Sequence, residues 1–287
     1  MNPGRLIVCP TPIGNLEDVT LRVLAALREA DVVACEDTRR TRVLLDRYGV
    51  SAQLVSYHEH NEGARARELV ARMREGAVIA LVSDAGMPLV SDPGYVLVRA
   101  CVAAGLAVEV LPGPSAALAA LVASALPSDH WRFAGFLPRR VRDLRAVLSA
   151  PETVVAFESP HRLAATLAVL SELDPGRPVA VCRELTKLHE EILRGPLVEL
   201  AENAGQLETR GEFVVVIGPP AANAGAMTGD ALDALLRDQL TRSSVKDAVA
   251  HAVELSGRPR REVYARALEL ARDRSALTSA ESDDGKG

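Results

Sequence analysis

The sequence predicts an α/β protein: two α/β domains followed by a small helical extension. Three observations carry this. Over residues 1–127, short apolar runs alternate with amphipathic stretches. Over 128–218, strand-like runs outnumber the helices between them. Beyond 219, small and polar residues give way to three helical patterns.

In the first part, strands are expected at 6–9, 32–35, 78–82 and 108–111. Each is nearly continuous in apolar residues, as in a mostly parallel sheet covered on both faces, where no side of the strand is left for polar residues. Amphipathic stretches at 21–28, 64–74 and 96–104 supply helices; in the last, Val98, Cys101 and Val102 recur at helical spacing. Leu126-Pro127-Ser128 marks the expected domain boundary. In the second part, strand-like runs at 133–136, 154–157, 179–183, 191–194 and 213–217 share two clear helices, near 160–172 and 197–204. More strands per helix suggests a mixed sheet. Residues 219–229 (PPAANAGAMTG) read as a flexible linker. Helices follow at 230–240, 244–255 and 260–271, within an extension spanning 230–275. Ser244 with Asp247 resembles a capping box, and Gly257-Arg258-Pro259 a stop and restart. The helix-turn-helix spacing suits a packing or dimerisation module as well as RNA contact. Residues 276–287 are polar and expected to be disordered.

With 287 residues and 48% hydrophobic content, a sizeable core can be buried. Aromatics are only 3%, so the core must be Leu, Val and Ala, and stacking platforms cannot dominate recognition. The net charge of -5 disfavours nucleic-acid binding by the whole surface and leaves room for a local basic patch. Cys9, Cys35, Cys101 and Cys182 sit in apolar runs without C-x-x-C spacing. They read as reduced, buried thiols of a cytoplasmic protein, and no metal site is expected. No run of 18 apolar residues and no signal-peptide pattern occurs, so neither a membrane span nor export is expected.

In an open α/β sheet, ligands bind beyond the carboxyl ends of the strands. The first such turn, Pro10-Thr11-Pro12-Ile13-Gly14, lacks the G-x-G-x-x-G of a dinucleotide-binding loop. That disfavours NAD, FAD and the commonest methyltransferase fold. After 78–82 come Ser83-Asp84-Ala85-Gly86, whose small residues let the backbone approach a ligand, and then Asp92-Pro93, which reads as a plain helix start with no ligand role. After 108–111, Pro112-Gly113-Pro114-Ser115 leads into the Ala-rich helix 116–125, with Ser115 as a cap. Two such turns at neighbouring strand ends make a cleft.

Nine ordered blocks then carry a resemblance: CPTPIGNLEDVTLR (9–22), ACEDTRRT (34–41), HEHN (58–61), ALVSDAGMPLVSDPGY (80–95), LPGPSAALAAL (111–121), GFLPRR (135–140), FESPHRL (157–163), CRELTKLHEEILRG (182–195) and GEFVVVI (211–217). The chain resembles the bacterial 16S ribosomal RNA cytidine 2′-O-methyltransferases of the tetrapyrrole methylase superfamily, almost continuously over 5–218. The resemblance implies two α/β domains of the tetrapyrrole methylase type, S-adenosylmethionine in the cleft between them, a homodimer, and 16S RNA of the small ribosomal subunit as substrate. No DNA partner is expected. Residue by residue, it implies cofactor contacts from Ser83, Asp84, Ala85, Gly86 and Leu89 and from Pro114, Ser115 and Ala116. It adds Phe157, Glu158, Leu185, Gly211, Glu212 and Phe213, with Pro12 near the methyl group. Met87, where Thr is common, and Cys9, where Val is common, depart from the family pattern.

Attack of a ribose hydroxyl on a sulfonium methyl needs positioning and a base. Glu36 and Asp37 follow the strand 32–35 and fit the base by position, Asp37 first. The same residues also read as a helix N-cap. His58 and His60 are weaker candidates, and their residue types alone admit a metal reading, although no third ligand is evident. For RNA phosphates the candidates are Arg39 and Arg40, with Arg139, Arg140 and Arg142 after the GFLP block. Solvated helix faces are the bland alternative. A methylase acting on a small tetrapyrrole and a non-catalytic assembly factor are the competing functions.

Overall fold

The computed structural model describes residues 4–206, 210–220, 229–256 and 258–283. The chain divides into two compact units, Met1–Pro219 and Pro220–Gly287.

The first unit holds two five-stranded sheets. One comprises β1 (Arg5–Val8), β2 (Val32–Cys35), β3 (Leu54–Ser56), β4 (Val78–Val82) and β5 (Ala107–Val110), all parallel, in the order β3-β2-β4-β1-β5. Helices α1 (Leu21–Glu29) and α2 (Thr38–Arg47) cover one face, where Leu27, Leu44 and Leu45 pack on Ile7, Val33 and Ala80. Helices α3 (Glu62–Arg74) and α4 (Tyr95–Ala103) cover the other, where Leu69, Met73 and Leu97 pack on Leu6, Ala34 and Leu81. Alternate residues of one strand thus feed opposite cores, which is why the strands read as unbroken apolar runs. The three-residue edge strand β3 has no counterpart among the expected strands; it is half-buried and too short to show a pattern.

The other sheet is mixed, as expected: β6 (Trp131–Phe136), β7 (Thr153–Glu158), β8 (Pro178–Arg183), β9 (Glu191–Pro196) and β10 (Phe213–Ile217), in the order β6-β7-β10-β8-β9. Only β6 and β7 run parallel; the other pairs are antiparallel. Helices α6 (Val141–Leu148), α7 (Pro160–Leu173) and α8 (Leu197–Asn203) pack Leu144, Leu167 and Leu200 onto one face. Helix α6 goes beyond the two helices expected here, because at eight residues its Leu144, Val147 and Leu148 stripe is masked by nearby arginines. The opposite face is covered by α5 (Ala116–Ser124), whose Ala117, Ala120 and Leu121 meet Val155, Ala180, Cys182, Val214 and Val216. The expected boundary at 126–128 follows this helix, yet the helix packs on the second sheet, so the chain crosses over in the turn before Ser115.

The second unit is three helices, α9 (Gly229–Arg242), α10 (Val245–Ser256) and α11 (Arg260–Asp283). Leu232, Leu236, Val249, Ala252, Val263 and Ala267 form its core. Ser244 Oγ accepts from Asp247 N at 3.3 Å and donates to Asp247 Oδ2 at 2.6 Å, the capping interaction expected there. Helix α11 runs through most of the stretch 276–287 expected to be disordered; 284–287 lie outside the described residues, as do 221–228 of the expected linker.

Candidate active site

The turns after β1, β4 and β5 follow the carboxyl ends of three neighbouring strands, and the first two are bolted together. Thr11 N donates to Gly86 O at 2.8 Å and Gly86 N to Thr11 O at 2.9 Å. Thr11 Oγ1 donates to Ser83 O, and Ser83 Oγ to Gly86 O. Gly86 adopts φ 79°, and a Cβ there would stand 3.3 Å from Ile13 Cγ2. At Gly86, therefore, the wall is backbone.

Between these turns and the second sheet lies a cavity of about 360 Å³. It falls within the roughly 300–1,000 Å³ typical of cofactor sites. Ile13, Ala85, Gly86, Met87, Val90, Ser91, Asp92, Ser115 and Ala116 line one side. Phe136, the turn Phe157–Pro160 and Gly211–Val214 line the other. Phe157 packs edge-on against both Phe133 and Phe136, so three of the chain's four phenylalanines cluster here.

Of the residues that the resemblance implied, Ala85, Gly86, Ser115, Ala116, Phe157, Glu158, Gly211, Glu212 and Phe213 lie on this wall. The others are placed behind it. Ser83 is 3% exposed and engaged in the turn, and Pro12 is buried beneath it. Leu89, at φ 72°, turns its side chain into the core beside Leu81 and Gly94. Pro114 contributes only shape, with its carbonyl oxygen 3.7 Å from where a Gly86 Cβ would be. Leu185 is buried in the apolar cluster joining α5 to the second sheet. Glu158 reaches the cavity but is already engaged: it accepts from Ser159 N and Thr166 Oγ1 and pairs with Arg162 at 3.3 Å.

The base candidates are redistributed more sharply. Asp37 is the N-cap of α2 and accepts from Arg39 N at 2.8 Å. Arg39 Nε and Nη2 clamp the same carboxylate, and these hydrogen bonds hold its pKa down at about 2. It does not line the cavity, and a carboxylate so engaged is a poor base. Asp84 is turned the same way, accepting from Asp37 N at 3.0 Å and facing Arg40 Nε at 3.5 Å. Glu36 stands beside them, its pKa raised by burial and by Asp84, and it too lies off the cavity wall. His58 and His60 lie in the loop after β3, with His58 N donating to Asn61 Oδ1. Among the described residues no three His, Cys, Asp or Glu side chains converge as metal ligands.

Asp92 corrects the sequence reading. The helix it was expected to cap starts at Tyr95, with Gly94 as N-cap. Asp92 instead lines the cavity. Burial, followed by the charge of Glu36, pushes its pKa up to about 7, with Asp84 and Glu212 adding to the effect and a Ser83 hydrogen bond opposing it. No ion pair among the described residues involves it. A D-P dipeptide at a helix start concealed it, because in sequence it is identical to a cap.

Of the five arginines, Arg39 and Arg40 are paired with Asp37 and Asp84, and Arg142 with Asp143. Arg139 and Arg140 are exposed and carry no ion pair among the described residues. They follow Leu137-Pro138, whose carbonyls accept from Arg162. The four cysteines are free and buried, and burial raises the Cys9 thiol pKa to about 12.

The model of the family Tetrapyrrole (Corrin/Porphyrin) Methylases matches residues 5–201, and that of the RsmI C-terminal HTH domain matches residues 226–271. The ribosomal RNA small subunit methyltransferase I of Mesorhizobium japonicum is 46% identical over 286 residues, 98% of this chain and 95% of that one. The Escherichia coli O157:H7 protein of the same name is 43% identical over 93% of this chain and 95% of its own. Uroporphyrin-III-C-methyltransferase from Thermus thermophilus superposes with a TM-score of 0.55 at 25% identity, over 75% of this chain and 94% of that chain. A structure of the Thermus enzyme complexed with S-adenyl homocysteine gives 0.55 at 24%, over 75% and 97%.

Proposed function

The chain belongs to the tetrapyrrole (corrin/porphyrin) methylases, and we propose that it transfers the methyl group of S-adenosylmethionine to a cytidine ribose 2′-hydroxyl in the 16S RNA of the small ribosomal subunit. The observation that carries this reading is similarity along the whole chain, C-terminal unit included, to relatives named as ribosomal RNA small subunit methyltransferases.

The cavity suits the donor. Ile13, Phe157, Phe213 and Val214 offer an apolar wall to an adenine ring, and Ala85-Gly86 and Ala116 leave main chain within reach of its polar edges. Glu212 on the wall, with Glu36 and Asp84 behind it, gives the site a negative field that favours a cationic donor over its neutral product. When bound, the donor supplies an activated methyl carbon. The chain's own residues align the two reactants, an effect worth roughly 7–11 kcal/mol when the geometry is good.

Arg139 and Arg140, free of ion pairs among the described residues, hold RNA phosphates in this reading, with Arg39, Arg40 and Arg142 partly committed to local carboxylates. The chain acts in the cytoplasm, and no helix among the described residues is long and apolar enough to cross a membrane. It acts as a homodimer; exposed apolar Val110 on the edge strand β5, and Leu118 and Val122 one turn apart on α5, support that. Incubating the protein and labelled cofactor with small subunits lacking the modification, then mapping the mark by mass, tests the reading. Label confined to a tetrapyrrole such as uroporphyrinogen would overturn it.

A further inference from the structure

Beside the cavity, the parallel sheet carries a ledge with a hydrogen-bond donor that has no acceptor and an acceptor that has no donor. The turns after β2 and β3 form it, and in the sheet order these strands come next to β4. In the loop after β3, Asn61 Oδ1 accepts from His58 N at 2.9 Å, and Asn61 Nδ2 donates to Ser56 O at 3.2 Å. Both contacts fix the amide's orientation, so the second N–H of Nδ2 donates to His58 Nε2, 3.2 Å away. Nε2 is thus an acceptor, and the neutral ring carries its proton on Nδ1. Nδ1 is buried and finds no hydrogen-bond partner among the described residues. After β2, the half-buried Glu36 carboxylate makes no hydrogen bond or ion pair among the described residues, and it is near enough to feel the charge of His58. The other carboxylates of the ledge are committed: Asp37 caps α2 under Arg39, and Asp84 accepts from Asp37 N and faces Arg40. We propose that this ledge is the subsite of the acceptor ribose, where Glu36 is the catalytic base for the hydroxyl and His58 positions Glu36 through Nδ1–H.

This rests on the methyl-transfer reading and assigns the acceptor side of the same site. The cavity takes the turns after β1, β4 and β5, so the strand ends left beside it for an acceptor are those of β2 and β3. The charge of Glu36 reaches Asp92 on the cavity wall, which places the ledge next to the donor. Exposed Arg39 and Arg40 open α2 on the same side, cations for the phosphates that flank a ribose. As the hydroxyl O–H breaks, its proton passes to one Glu36 oxygen while His58 Nδ1–H holds the other. The hydroxyl oxygen's electron pair forms the O–C bond to the methyl carbon while the C–S bond breaks, and sulfur keeps the pair of that bond as a neutral thioether. The groups that set the basicity of Glu36 come from every element around it. Burial and Asp84 after β4 raise its pKa, Arg40 on α2 and His58 after β3 oppose them, and Asp37 adds a smaller rise. Glu36 therefore takes a proton more readily than an exposed glutamate, as Asp37 under its arginine cannot.

The test uses the full chain with Glu36→Gln, Glu36→Asp, His58→Ala and the double variant of Glu36→Gln with His58→Ala. Single-turnover methylation of unmodified small subunits, at saturating S-adenosylmethionine, is followed between about pH 5 and 9. The wild type should lose rate toward acid through a limb above 4.5, the ordinary glutamate value. Glu36→Gln should be about 10²–10⁴-fold slower without that limb, and Glu36→Asp slower with the limb kept. His58→Ala should lose part of the same factor, and the double variant should be no slower than Glu36→Gln, because His58 acts through Glu36. Calorimetry should give every variant the wild-type affinity for S-adenosylhomocysteine. With no turnover required, the ring nitrogen-15 resonances absent from His58→Ala should show the neutral Nδ1–H form in the wild type at about pH 8. A wild-type rate and limb in Glu36→Gln overturn the proposal, as does a loss confined to cofactor affinity, which would make Glu36 a ligand of the donor. Additive losses in the double variant, or a ring protonated on Nε2, overturn the role of His58. A wild-type protein that binds the cofactor but methylates no RNA overturns the reading beneath, and the proposal with it.

Discussion

Asp37 and Asp92 are both aspartates in turns, and their surroundings drive them in opposite directions. Arg39 holds Asp37 ionised down to about pH 2, whereas burial and anionic neighbours keep Asp92 protonated up to about pH 7. The raised folded-state pKa of Asp92 stabilises the protein fully below its ordinary value of 3.8, and that contribution is lost as pH rises through about 7. Asp92→Asn should therefore melt with the wild type near pH 4 and above it at pH 8, the gap opening between these limits in a calorimetric scan. Asn caps a helix about as well as Asp, so Asp37→Asn should keep near-wild-type methylation and melting at neutral pH, while Asp37→Ala should melt lower. At Gly86, alanine would cost roughly 1–2 kcal/mol for left-handed backbone and crowd Ile13. Urea unfolding of Gly86→Ala should show that loss, and cofactor titration a weaker affinity. The glycine and small-residue content of these turns was legible in the sequence. The roles of the aspartates were not, because a cap, a brace and a cavity carboxylate share one local pattern.

At the scale of elements, caps and periodicity carried much of the reading. Ser115 accepts from Leu118 N and starts α5 as its position indicated. Ser115→Ala should cost about 0.5–2 kcal/mol in urea unfolding, and should loosen cofactor binding because the same turn lines the cavity. What periodicity could not show is where α5 goes. It is apolar nearly all round, so no stripe marks which sheet it covers, and the packing of Ala117 and Ala120 against Cys182 and Val216 decides it. The segment after β6 is the reverse case: its charges were visible and its helix was not. With Arg162 pinning Leu137 and Pro138, the exposed pair Arg139 and Arg140 is presented on a fixed turn. Changing both to Glu should weaken RNA binding and lower its salt slope by about 0.7–0.9 for each phosphate no longer neutralised. An unchanged slope would remove these residues from the interface.

Across the molecule, every residue of the cavity belongs to the unit Met1–Pro219. Truncation after Pro219 should leave affinity for S-adenosylhomocysteine unchanged by calorimetry, while methylation of subunits reports what the helical unit contributes. The sequence by itself determined the two-sheet architecture, the parallel and mixed character of those sheets, the main turns and caps, and the family with its donor. Those are local patterns, repeated every two or 3.6 residues or held in short contiguous blocks. Only the tertiary structure decided which of the implied residues face the cavity. Leu89 and Leu185 turn into cores, Ser83 and Asp84 brace turns, and Asp92 takes a place in the wall. Each outcome depends on packing between strand ends far apart in the chain, and on backbone angles such as the φ of 72° at Leu89, which long-range packing imposes and neighbouring residues do not encode.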